Sequence, residues 1–199
     1  MTPPANDLEL LRAEIAAVAA RMIAEDGADY GSAKRKAVRM LLGEGRVNGN
    51  ILPPNSQIEE EVRQYQALFH ADTQPARLAR LRQLALELME RLAEFNPFIT
   101  GAVLNGTAGE HSDLHLQLFT HSPKDVEIFL IDQGIEYTAS ESQHFHRRGE
   151  AVETVSFMHQ GEGVHLALFD YDDLRAGKGG GERADRAALQ QIMIGENKV

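Results

Sequence analysis

At Asn96-Pro97 the spacing of apolar residues changes, and the change dictates a helical first half followed by a half that contains a sheet. Upstream, apolar residues recur every three to four positions, as they do along one face of a helix. Leu8, Leu11, Ile15, Val18, Met22 and Ile23 mark a first helix from about Asp7, ended by Asp26-Gly27. Ala33, Ala37, Met40 and Leu41 mark a second over about 30–42, with Gly43 just past its end. After the turn-rich GEGRVNGNILPPN, a third helix begins near Ser56 with Asn55 as its N-cap, carrying Ile58, Val62, Tyr65 and Phe69. A fourth opens at Gln74-Pro75, with proline in its first turn, and runs to about Glu94. The residue before a proline resists the helical conformation, so Asn96-Pro97 stops it.

From Phe98 onward the period is 2. FITGAVLN reads as a strand ending at a Gly106-Thr107 turn. In DLHLQLF the side chains of Leu114, Leu116 and Leu118 fall on one side, and Asp113, His115 and Gln117 on the other. A helix follows, with Ser122 as cap, Pro123 at the first position, Asp125 completing a capping-box pattern, and Gly134 at its close. ETVSFMHQ and GVHLALFD read as antiparallel strands around Gln160-Gly161-Glu162, and a last helix covers about 182–194. The expected class is α+β: a helical region over 1–96, then a small mixed sheet with flanking helices over 97–199.

Composition removes several classes of function. Among 199 residues there is no cysteine, which excludes disulfide scaffolds, thiolate metal sites and thiol nucleophiles. Thirty acidic against 20 basic residues give a formal charge of −10, which opposes nonspecific binding to nucleic acid. No apolar run approaches the ~20 residues of a membrane span. The start, MTPPANDLELLR, lacks the basic and apolar regions of a signal peptide, so a cytoplasmic location is expected. Neither G-x-S-x-G nor H-E-x-x-H occurs.

The residues that carry chemistry cluster around the period-2 strands. Asn105-Gly106-Thr107, then Ser112-Asp113-Leu114-His115-Leu116, then Val164-His165-Leu166 form a series of turn, strand and later strand, with a helix between. In this order the sequence resembles the nucleotidyltransferase superfamily of the DNA polymerase β type, over about residues 98–170. The resemblance implies that a Gly-Ser or Gly-Thr turn holds a triphosphate and that carboxylates at i and i+2 of a strand bind divalent ions. Those ions stabilise charge on the transferring phosphoryl group. It further implies phosphate contacts for Gly106 and Thr107, and a metal and catalytic role for Asp113, with His115 and His165 at the other two carboxylate positions. Three departures stand out. His115 replaces the second carboxylate, His165 the third, and the interval from Thr107 to Asp113 is shorter than in most members. Hard Mg²⁺ prefers oxygen ligands, whereas a mixed nitrogen–oxygen set suits Mn²⁺, Fe²⁺, Zn²⁺ or Ni²⁺ better. Two explanations stay open at this point: an altered metal site, or a catalytic centre that has decayed to a binding cleft.

Further cations lie elsewhere. Lys34-Arg35-Lys36 interrupts an otherwise acidic surface, and Lys34 and Arg35 are candidates for a phosphate. Arg183 follows the glycine-rich GKGGG and is another, although that tract lacks the order of a P-loop. QHFHRR pairs His144 with His146 in what reads as a loop. The expected function is binding of a nucleotide or phosphorylated small molecule, with or without nucleotidyl transfer supported by Mn, Zn or Mg. The alternative is a non-enzymatic regulatory module whose helical half meets a protein partner or a second copy of the chain.

Overall fold

The computed structural model describes residues 5–43, 49–143, 151–175 and 182–196. Its chain divides into two compact units, Met1–Arg77 with Gly109–His111, and Leu78–Ala108 with Ser112–Val199. The architecture is α+β, helical first and sheet-containing second. The change from helix to strand falls where the sequence places it. The packing boundary lies earlier, inside the fourth helix, because residues from Leu78 onward bury their apolar face in the second unit. Among the described residues no helix is long and apolar enough to cross a membrane.

In the first unit, α1 (Ala5–Asp26), α2 (Tyr30–Leu42) and α3 (Asn55–Phe69) enclose a core of Ile15, Ala16, Ala19, Ala33, Ala37, Ile58 and Val62. The alanines bring helix axes close without leaving voids. Asp29 caps α2, its Oδ1 accepting from the Ser32 amide at 2.9 Å. Asn55 is the first residue of α3 rather than its N-cap, which is Pro54. The Asn55 Oδ1 instead accepts from Lys34 Nζ at 2.8 Å.

The fourth helix, α4 (Gln74–Arg91), leads into the second unit, where a 3-10 turn at Ala93–Phe95 precedes β1 (Phe98–Thr100). Here the sequence reading needs correction. FITGAVLN is not one strand: Gly101 takes φ +72° and turns the chain into the short α5 (Gly101–Asn105), which buries Val103 and Leu104. Then come β2 (Leu114–Thr120), α6 (Pro123–Asp132), β3 (Thr138–Gln143), β4 (Ala151–His159), β5 (Glu162–Asp170), β6 (Arg183–Ala184) and α7 (Arg186–Glu196). The expected capping box at α6 is absent, since Ser122 makes no side-chain cap bond. Asp185 starts α7, its Oδ1 accepting from the Ala188 amide.

The sheet runs β3-β4-β5-β2-β1-β6, with β2 and β5 parallel and every other pair antiparallel. Leu114, Leu116, Leu118, Val155, Phe157, Val164, Leu166 and Leu168 share the core with α4, α6 and α7. Because side chains alternate, the intervening residues of the central strands occupy the opposite face. At one end of that face Phe119, Phe169 and Val152 form a small separate cluster. At the other end the side chains are polar.

Candidate functional site

The strand registers generate the site. Thr100 lies opposite His115, His115 opposite His165, His165 opposite Ser156, and Ser156 opposite Thr138. On the outer side Thr100 is paired with Arg183. One row of polar residues therefore crosses all six strands on the face away from the main core. The sequence reading brings Asp113, His115 and His165 together, and the structure does so as well. Ser156 and the continuous row emerge only from the pairing.

At the centre of the row the His115 and His165 rings are stacked, with centroids 4.7 Å apart and planes 16° apart. His165 bridges two neighbours. Its Nδ1 lies 2.8 Å from Ser156 Oγ and its Nε2 lies 3.1 Å from Asp113 Oδ2. An ionised carboxylate only accepts, so Asp113 fixes the proton on Nε2 and leaves Nδ1 as acceptor for the serine hydroxyl. Asp113 can lie over the β4–β5 hairpin because residue 163 is glycine. A Cβ there would sit 2.5 Å from Asp113 Oδ1. His115 reaches solvent at one edge, yet the protein packed around its ring pulls its pKa below that of an ordinary imidazole. The neighbouring His165 adds to the depression, and Asp113 partly opposes it.

The geometry does not favour a metal at these positions. Asp113 is directed at His165 Nε2, and the two imidazoles meet face to face rather than pointing their nitrogens at one point. Among the described residues no three His, Asp or Glu side chains are arranged to hold an ion. The implied divalent metal thus has no fitting set here.

The turn behaves differently from the phosphate cradle that the resemblance implies. Gly106 takes φ +85° and ends α5, as a left-handed helix terminus requires. Thr107 is 3% exposed, and both its amide and its hydroxyl donate to Asn105 Oδ1, at 3.0 and 2.7 Å. Its donors are engaged inside the turn. Beneath it lies Arg82, 2% exposed, donating from Nε to the Val103 carbonyl at 2.9 Å and from Nη2 to that of Leu104 at 3.2 Å. Its Nη1 also donates to Glu196. Arg82 thereby serves the carbonyls that the short helix leaves open. The sequence carries one signal for it: a lone cation at helical spacing among Leu78, Leu81, Ala85 and Met89.

The remaining candidates have local partners. Arg183 lies with its guanidinium 4.9 Å from the centroids of both Phe98 and Phe119, and donates to the Leu174 carbonyl at 3.1 Å. Lys34 and Arg35 belong to the first unit. Desolvation lowers the Lys34 pKa, and Arg35 donates to Ser32 Oγ at 3.1 Å. His144, His146 and the GKGGG tract up to Gly181 lie outside the described residues.

A cavity of about 550 Å³ opens at the opposite, carboxyl-terminal end of the parallel pair. Glu94, Asp125 and Asp132 line it beside His121 and Tyr171. Its carboxylates oppose a phosphate, so the polar row is the better candidate. Compared with known proteins, the chain matches no family model and no curated relative.

Proposed function

We propose that this chain is a cytoplasmic, nucleotidyltransferase-like protein that binds a nucleotide or another phosphorylated small molecule over the polar row of its sheet. One observation carries the reading. The parallel β2–β5 pair sets Asp113, His115 and His165 side by side on one face, in the relative order that the resemblance implies. The ring N–H of His115 is an apt donor to a phosphate oxygen, and it sits on a surface that water reaches. Two histidines in place of two carboxylates also reduce repulsion of an anionic ligand. Standard Mg²⁺-dependent transfer is not part of the proposal, since the carboxylates it needs are missing.

The test is thermal unfolding with ATP, GTP, CTP or UTP, each with and without Mg²⁺, Mn²⁺ or Zn²⁺. Ligand that binds only the folded chain raises the midpoint with the logarithm of its excess over Kd. A nucleotide-dependent shift without metal, lost in His115→Ala, is the expected result. A shift that requires metal restores the metal reading. No shift with any nucleotide removes this function. A second reading, a non-enzymatic module, draws on the internal engagement of the Thr107 donors, which are the groups expected to meet phosphate.

A further inference from the structure

No feature of its own sequence neighbourhood singles out Ser156. In VETVSFMH it is simply one of the residues that alternate with Val155 and Phe157. Its position in the sheet is more informative. It lies opposite His165 in the β4–β5 register, partly buried, with its Oγ at 2.8 Å from Nδ1. The far nitrogen of the same ring meets Asp113 at 3.1 Å. A hydroxyl, an imidazole and a carboxylate are thus joined in series, which is the arrangement that turns a weak alcohol into a nucleophile.

We propose that Ser156 is a nucleophile toward phosphoric esters or anhydrides, activated by His165 as general base and positioned through Asp113. The phosphorus class rests on the phosphate-binding reading given above; the hydroxyl–imidazole–carboxylate series stands on geometry alone. In the step, a lone pair of Ser156 Oγ forms the new O–P bond. The bond from phosphorus to the leaving group breaks, and the leaving group departs with its electron pair. The hydroxyl proton passes to His165 Nδ1. The imidazolium so formed is held by the Asp113 carboxylate at Nε2.

Two features favour phosphorus over an acyl carbon. Ser156 stands in an interior strand whose backbone groups are shared between the ladders to β3 and β5, so adjacent amides are not gathered into an oxyanion hole. Beside His165 the stacked His115 carries at least one ring N–H in any protonation state, suited to an equatorial phosphoryl oxygen. Asp113 is a positioning residue, since it acts through the ring. Gly163 is the structural condition for it, because any side chain at 163 displaces the carboxylate.

The experiment uses the full chain and a fluorophosphonate, a phosphorus electrophile that loses fluoride to an activated serine. Peptide mass spectrometry should find the adduct on Ser156, and Ser156→Ala should abolish it. Loss of general-base help should slow labelling about a hundredfold in His165→Gln. Gly163→Ala retains all three reacting and positioning side chains and should also slow labelling, while its circular dichroism and unfolding midpoint stay near those of the parent. No adduct on Ser156, or an unchanged rate in His165→Gln, overturns the proposal. The nucleotide unfolding experiment is a separate readout. An adduct without a nucleotide shift keeps the nucleophile and removes the nucleotide ligand, whereas a nucleotide shift without an adduct removes the nucleophile alone.

Discussion

The buried guanidinium of Arg82 is the residue on which the α5 turn depends most directly. Two helix-end carbonyls accept from it, and no water can replace it at 2% exposure without rearrangement. Arg82→Ala should cost about 3 kcal/mol, read as a lower urea midpoint with an unchanged slope. His115 gives a different test. Its unfolded imidazole titrates near 6.5 and the folded one below that, so on acidification the unfolded chain takes up the proton first. Its contribution to stability is complete above that value and is lost as pH falls through it toward the folded pKa. A His115→Gln variant should lose part of this acid sensitivity in unfolding midpoints measured from pH 8 to pH 5. His159, whose pKa is also depressed by burial, contributes acid sensitivity of the same sign. At this scale Asp113, His115 and His165 were legible because strand alternation and the order of turn and strands determine their face. Ser156 was not, because only the partner strand distinguishes it from the other small polar residues of β4. The role of Arg82 was hidden for a related reason: a cation on an apolar helix face is explained only by the distant carbonyls it reaches.

At the scale of elements, the long helices were legible because many turns repeat the same spacing. GAVLN was not, since a run of a few apolar residues fits either period, and Gly101 at φ +72° decides between them. β3 escaped notice because TASESQ has no apolar face to alternate; its six pairings to β4 supply what its composition lacks. The capping pattern at Ser122 was present in sequence and unused in structure. Where β5 pairs with β2, Leu166 faces the core and is fully buried. Leu166→Ala should therefore destabilise by about 3 kcal/mol, measured by denaturant unfolding. On α6, Glu127 hydrogen-bonds Glu153 of β4. Desolvation first, and then that hydrogen bond and the nearby charge, raise the Glu153 pKa. A raised carboxyl stabilises below its unfolded value near 4.5 and loses that contribution as pH rises through the folded one. Glu127→Gln should raise the unfolding midpoint at pH 8 and have a smaller effect at pH 4. Because both groups retain contact with solvent, the gain should be only a few tenths of a kcal/mol, on the order of a surface pair.

Over the whole molecule the excess of acidic groups sets behaviour in solution. With a net charge of −10, self-repulsion is strongest at low ionic strength, so added salt should raise the unfolding midpoint before specific ion effects intervene. The same charge predicts no retardation of a random-sequence DNA duplex in an electrophoretic assay at physiological salt. A small phosphate ligand remains compatible with that field, since the row of hydroxyls and imidazoles is a local departure from it. The parallel pairing at the centre of this row has a consequence for how the protein is made. Asp113 and His165 are 52 residues apart, and the whole of α6, β3 and β4 must be synthesised between them. When the first strand of the pair leaves the ribosome, its neighbour has not yet emerged. The row thus cannot form on a partial chain, and its closing carries the entropy of a long loop. A newborn molecule completes this row only after release of β5, and until then Leu114, Leu116 and Leu118 of β2 lack the neighbouring strand.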